Sequence, residues 1–385
     1  MPLSVSTLRC LLPLLLLVAA TPAMAESPAE VPLATPSEAT SPPDRNDGVA
    51  TLDVVVVSGA QPGPGLWKVS RDGRVLWVMG VLSPLPKRME WNTLEVEDRI
   101  AASGVVLLPP TVHITAKGAK LGGIFLLPSL LSARNNPGKE KLVDVLPPAD
   151  YARWQRLKAV HLGRDRGVEK RRPILAAMAL RDKALDAHDL DERNIVREAV
   201  TRIAKRAEVP VERADINLVV EDPKAALKEF GSRPLDDLEC FRRTLDQVEN
   251  DLDTLALRAN AWALGDLAQL RALTYTDNAK ACTDALLQSG LGQSRGFDEL
   301  PAKVQAAWLA DAEKALATHP ESFALLSMAQ VLGPSGYLAA LKQKGYAVES
   351  PEDLAAAAEA EETDAGSGSA AEQDAPAASN DAVEP

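Results

Sequence analysis

Histidine and cysteine are scarce in this chain, four and three of 385 residues. Any metal centre or nucleophile–base pair would have to be drawn from very few positions. Neither Cys240 nor Cys282 has a second Cys or His at ligand spacing, which argues against a zinc site built on them. There is no Gly-x-Gly-x-x-Gly turn and no phosphate loop, so the usual dinucleotide and nucleotide fingerprints are missing. Aromatic residues make up only 4% of the chain, and its net charge is −12. An acidic chain without aromatic stacking motifs does not read as a nucleic-acid binder. No long apolar run follows the first two dozen residues, so no later membrane span is expected. No Lys or Arg occurs after Lys344, so much of the acidity belongs to the C-terminal tail and says little about partners of the rest.

What is present begins with an export signal. Arg9, the apolar stretch Leu11–Ala20 and the small-x-small Ala23-Met24-Ala25 predict a signal peptide over residues 1–25 with cleavage after Ala25. The alternative is an uncleaved anchor, but the stretch is short for a membrane-spanning helix. The expected location is therefore periplasmic or secreted. Residues 26–48, rich in Pro, Ala and Ser, read as a disordered linker, and residues 352–385 as a disordered acidic, Ala-rich tail. Between them, residues 49–351 are long enough for one sizeable domain. An even cysteine pair in an exported chain favours a Cys240–Cys282 disulfide over two buried thiols.

Within the domain, Leu52–Val57 is a β-branched strand-length run. Leu66–Val69 and Val75–Met79 flank Asp72-Gly73, a hairpin signal, and Gly80 ends the second strand. Asn92 or Thr93 caps a helix to about Ser103, followed by a strand at Val105–Leu108. Leu121–Leu131 is a loop or short helix, and Pro210–Asp215 a connection. Residues 149–272 are mainly helical, with Leu245, Val248, Leu252, Leu255, Ala259 and Trp262 marking one face of a long helix over 238–264. Phe323–Met328 reads as a buried strand or a short helix. The order of elements predicts an α/β fold: a mixed central sheet flanked by helices, with a largely helical middle insertion.

Four segments carry a resemblance. Gly80-Val81-Leu82-Ser83-Pro84-Leu85-Pro86 follows an apolar strand; Ala261-Trp262-Ala263-Leu264-Gly265-Asp266 closes the helical middle; Ser327-Met328-Ala329-Gln330 precedes Gly333-Pro334-Ser335-Gly336; and Gly345-Tyr346-Ala347-Val348 ends the domain. In this order they resemble the TraB/GumN family (Tiki-like proteins) over about Leu66–Val348. The resemblance implies a fold related to the ChaN-like and erythromycin-esterase-like proteins. It also implies a metal-dependent hydrolase, in some relatives a protease, with two His and a Glu on loops after strands. This chain departs from that pattern at each ligand. Ser83 and Gln330 stand where the two Gly-x-x-His histidines belong, and Leu108 or Pro109 where the glutamate belongs. Hence no metal, no cofactor and no catalytic residue is expected. Gly80, Ser83, Pro86, Gln330, Gly333 and Gly336 are the candidates to line the former cleft.

The remaining candidates are weaker. Ser83 lacks a Gly-x-Ser-x-Gly elbow. None of His113, His161, His188 and His319 maps to the ligand loops, although His113 lies nearest the lost glutamate. Arg164, Arg166, Lys170, Arg171 and Arg172 read as a solvated helix start rather than an anion-binding patch, and Trp67, Trp77 and Trp91 as core rather than a sugar platform. The sequence reading is an exported, catalytically inactive binding or accessory protein whose partner is an envelope protein or polysaccharide. The competing reading is a hydrolase with a relocated active site.

Overall fold

The computed structural model describes residues 63–116, 131–193, 195–232, 235–273, 278–287 and 297–370. Leu52–Val57, the signal peptide, the linker and most of Leu121–Leu131 lie outside them. Strands are β1 (Leu66–Arg71), β2 (Arg74–Val81), β3 (Leu85–Pro86), β4 (Val106–Leu107), β5 (Thr111–Ala116), β6 (Leu190–Asp191), β7 (Val211–Glu212), β8 (Asp215–Val220), β9 (Glu321–Ser327) and β10 (Ala347–Glu349). The first seven helices are α1 (Leu94–Ala102), α2 (Leu142–Val145), α3 (Pro148–His161), α4 (Pro173–Ala187), α5 (Ile195–Arg206), α6 (Pro223–Ser232) and α7 (Leu238–Asn250). The rest are α8 (Leu252–Leu264), α9 (Leu267–Ala272), α10 (Asn278–Leu287), α11 (Leu300–Thr318), α12 (Met328–Leu332), α13 (Tyr337–Gln343) and α14 (Pro351–Ala370).

A six-stranded sheet in the order β10-β1-β2-β9-β4-β7 carries the fold. The β1–β2 hairpin is antiparallel, turning at Asp72 and Gly73 with φ of 52° and 76°, the positive pair a two-residue hairpin turn needs. Beyond it, β2, β9, β4 and β7 run parallel. Central parallel strands must bury both faces. Accordingly, successive residues Ser322–Leu326 of β9 are all buried, and α1 and α11 pack against this strand. This is the expected α/β fold with a mixed sheet. The ambiguity at Phe323–Met328 resolves into both alternatives in turn, strand β9 followed at once by helix α12.

A second core lies among the helices of the middle region, around Trp154, Leu180, Phe241 and Leu245. Helix α8 joins the two cores. Leu252 and Leu255 belong to the helical core, and Ala259 and Trp262 to the sheet core. All six apolar positions predicted on this face are buried, but the single helix over 238–264 is broken. Asp251, at φ −114° and ψ 0°, is at once the C-cap of α7 and the N-cap of α8. Asn250-Asp251 is a weak point because short polar side chains compete with the helical backbone. The Cys240–Cys282 disulfide is present and ties α10 to α7.

Other differences have equally local causes. Pro210–Asp215, expected to be a connection, contains β7 and leads into β8, which pairs in parallel with β5 as a separate two-stranded sheet. The tail predicted to be disordered from residue 352 is helical through α14. Its composition lacks apolar residues for a core, yet Ala and Glu are strong helix formers, and Ser350 and Asp353 cap the helix reciprocally. The basic run is split. Arg164, Arg166 and Lys170 are exposed, whereas Arg172 is 1% exposed and donates to the Ala133 carbonyl at 3.0 Å. Asp237, also buried, accepts from Ile174 N–H at 2.8 Å; burial pushes its carboxyl up against the opposing pull of that bond and of Arg172.

His161 gives a pH prediction. It ends α3, where the helix dipole favours a cation, but burial pushes its pKa down, helped by the neighbouring His188. The folded protein therefore takes up this proton less readily than the unfolded chain. Stability from this site is complete above the unfolded pKa and declines as pH falls through it toward the lower folded value. Urea midpoints measured from pH 8 to 5 are expected to fall in the wild type and to fall less in His161→Gln. Equal slopes would show that His161 is not responsible.

Candidate functional site

Parallel strands β2, β9 and β4 are neighbours and end on the same side, so the loops leaving their carboxyl ends meet at one edge of the sheet. This crevice is where open α/β sheets place their ligands. Val81, the last residue of β2, pairs with Ser327, the last of β9. Ser83 follows β2, Pro109 follows β4, and Ser327 leads directly into α12. All three border one cavity of about 590 Å³. The loops after β2, β4 and β9 thus meet at one cavity; of the expected residues its lining includes Ser83, Pro109 and Gly333, and not Gly80, Pro86, Leu108, Gln330 or Gly336.

Each expected residue can be placed. Ser83 is exposed, and Gly333 shares the cavity wall with Ser83, Met328 and Ala329. Gly80 lies one residue short of the end of β2. A Cβ there would stand 2.6 Å from Met328 Sδ, and its carbonyl accepts from Trp262 Nε1 at 2.8 Å. Gln330 is in α12, half-buried, and its N–H donates to Ser327 Oγ at 3.3 Å, the N-cap of that short helix. Gly336 closes the turn after α12. A Cβ there would come within 2.2 Å of the Gln330 carbonyl, so only glycine lets the chain fold back this tightly. Leu108 is buried beside the cavity-lining Pro109, and Pro86 is used in the β3–β6 pairing.

Scaffolding explains the aromatic residues and the middle segment. Trp67 and Trp77 are buried, and Trp91 packs edge-on against Trp262 with ring centroids 6.1 Å apart. Gly265 is the left-handed C-cap of α8, and Asp266 caps α9 by accepting from Gln269 N–H at 2.8 Å. Thus Ala-Trp-x-x-Gly-Asp ends one helix, starts the next and pins the end of β2.

Sequence reasoning missed two residues of the cavity. Arg258 of α8 and Arg271 of α9 both line it. Arg258 is 9% exposed, and its Nη1 donates to the carbonyls of Leu270 and Leu273 at 3.0 and 2.5 Å. Arg271 Nη1 meets both carboxylate oxygens of Glu352 at 3.0 and 2.9 Å, both partners about half exposed. Nothing in local sequence marked Arg258, because its place depends on how α8 lies against the sheet edge.

The histidines are elsewhere. His113 Nε2 lies 3.1 Å from Asp215 Oδ1 across the β5–β8 pair, and Arg213 approaches the same carboxylate. His188 Nδ1 is 2.8 Å from the Ala184 carbonyl, and the His319 ring packs against Gly104. Among the described residues no three of His, Cys, Asp and Glu come together as a metal-binding group.

An α/β sheet with a crevice at the carboxyl ends of its parallel strands, roofed by a short capped helix, is the class defined by this geometry. The TraB/PrgY/gumN family matches residues 65–350, and the chain belongs to it. No curated protein and no solved structure matches the chain. A divalent metal of the kind the family resemblance implies requires imidazole or carboxylate donors. The mapped loops offer a hydroxyl from Ser83, hydrocarbon from Leu108 and Pro109, and an amide from Gln330, and this donor set does not fit such a metal.

Proposed function

We propose that this chain is an exported member of its family whose cleft binds rather than cuts, acting as an accessory protein in the cell envelope. The observation that carries this reading is the juxtaposition itself. The loops after β2, β4 and β9 border one cavity that Ser83 and Pro109 line, and the positions the resemblance maps to ligands are Ser83, Leu108 or Pro109, and Gln330, of which Leu108 and Gln330 lie outside the lining. The scaffold around them is closely bonded and packed, from the Trp262–Gly80 bond to the turn at Gly336. Hydrolysis by activated water needs a metal or a base at the reacting atom. Ser83 and Gln330 supply neither, since both remain neutral and a weakly basic hydroxyl or amide does not deprotonate water. Export rests on the signal-like residues 1–25 and agrees with the Cys240–Cys282 bridge, a bond that persists in oxidising compartments. An envelope protein or polysaccharide is the partner class this placement favours.

The test is hydrolysis of mixed peptide and ester substrates by the purified protein with added zinc or manganese. No turnover above buffer is expected. Turnover abolished by a chelator and restored by metal would overturn the proposal and favour a hydrolase with a relocated site.

A further inference from the structure

We infer that a second cavity, formed by the turn at Pro137–Lys139 and the approach to α4, binds an acidic sugar: a carboxylate on a body of hydroxyls. It shares no lining residue with the cleft at β2, β4 and β9. The inference rests on the envelope reading only in taking a polysaccharide as the source of that sugar. The cavity is about 880 Å³, within the size range of small-molecule sites. Ser132, Asn135, Asn136, Lys139 and Lys170 line it beside Gly231 of α6, and its described lining holds no carboxylate, in a chain whose net charge is −12. Walls this polar suit a hydrophilic ligand.

Asn136 is 6% exposed and clamps the turn, donating from Nδ2 to the Arg171 carbonyl at 2.9 Å and to the Glu140 carbonyl at 3.4 Å. Gly138 and Lys139 take φ of 67° and 65°, a conformation a lysine seldom adopts, so the surroundings hold it there. What the wall leaves open defines the ligand. Among the described residues, the ammoniums of Lys139 and Lys170 and the Ser132 hydroxyl have no partner. Asn136 has used both amide hydrogens, and its oxygen is left to accept. Two ammoniums call for an anion, held by charge-assisted hydrogen bonds, and an amide oxygen calls for a hydroxyl. An acidic sugar carries both groups. Inorganic phosphate answers chiefly the ammoniums, and a neutral sugar chiefly the amide and the hydroxyl. Neighbouring charges favour a polymer of such sugars. Arg134, Arg164 and Arg166 lie in the same two chain segments, exposed and without an acidic partner among the described residues. The acids of the second segment are engaged: Asp165 Oδ1 accepts from Gly167 N–H at 2.7 Å, and Glu169 Oε1 meets Lys158 Nζ at 2.6 Å. Glu140, next to Lys139 in the chain, stays outside the lining.

Calorimetry on the purified protein with trigalacturonate, maltotriose and inorganic phosphate tests this, with phosphatidylglycerol vesicles as an anionic surface. Trigalacturonate is expected to bind about tenfold tighter than maltotriose or phosphate, and to weaken on adding salt. Lys170→Gln is expected to weaken it about tenfold, and Lys170→Arg, which keeps the charge, to retain most of the affinity. Lys139→Gly suits the positive φ, so it is expected to hold or raise the urea midpoint while weakening trigalacturonate about tenfold. A merely structural lysine would not lose binding at an intact midpoint. Equal or tighter binding of phosphate, maltotriose or the vesicles, no loss in either charge-removing variant, or no binding at millimolar trigalacturonate would overturn the inference. A metal-free protein without turnover that ignores trigalacturonate sinks this inference alone. Metal-restored turnover together with lysine-dependent trigalacturonate binding would sink the proposed function of the cleft and uphold this site.

Discussion

Trp262→Ala is expected to lower the unfolding free energy by about 4 kcal/mol, in the range of large aromatic truncations in cores. The indole is fully buried in the sheet core and packs edge-on against Trp91. Two losses combine. Removing the ring leaves a cavity that its neighbours, the end of strand β2 and Trp91, fill poorly. The Gly80 carbonyl also loses the donor that meets it at 2.8 Å, which costs about 1 kcal/mol or more at a buried site. Trp262→Phe refills part of the volume but not the hydrogen bond, so a smaller loss of about 2 kcal/mol is expected. Urea unfolding reads both as a lower midpoint at unchanged slope. The cleft should feel the change too, because Gly80 leads into the loop that carries Ser83. A loss below about 1 kcal/mol for Trp262→Ala would mean that the end of β2 is held by something else.

Opening the Cys240–Cys282 bridge is the second large effect. The bridged residues are 42 apart in sequence, and loop-closure entropy for that length corresponds to about 4 kcal/mol. Cys240 is fully buried on α7, so replacing it also disturbs packing beside Phe241. Helix α10 packs chiefly on α7, the helix to which it is bridged, so packing and the disulfide restrain residues 278–287 together. The double variant Cys240→Ala/Cys282→Ala is expected to unfold at a clearly lower urea midpoint, and reduction of the wild type should reproduce most of the shift. Hydrogen exchange should show α10 losing protection first. An unchanged midpoint with fast exchange confined to α10 would show that the bridge holds that helix alone and not the fold.

Much of the fold was legible because local chemistry and tertiary placement agree. The Asp72-Gly73 turn, the apolar run of β9 and the Gly265 C-cap each have a physical reason within a few residues. That the loops near Ser83, Pro109 and Ser327 meet was implied by the family resemblance alone; the parallel pairing of β2, β9 and β4 that brings them together was not legible locally. Other features depend on distant partners. Strand β8 alternates exposed and half-buried residues, but it pairs with β5 over a hundred positions away. Arg172 reads as one more residue of a charged run, yet it is buried opposite Asp237. Arg258 reads as a polar position on an apolar helix, and only the packing of α8 against the sheet edge brings it to the cleft. The helix over Pro351–Ala370 was missed for a different reason: low apolar content argues against a core but not against a helix.

The most direct test of the central claim is metal content and metal binding of the purified protein, by elemental analysis and by calorimetry with zinc and manganese. No stoichiometric metal and no tight site are expected, in the wild type and in Ser83→Ala alike. One tightly held metal per chain, weakened by Ser83→Ala or Gln330→Ala, would contradict it and place the family's chemistry back at this cleft.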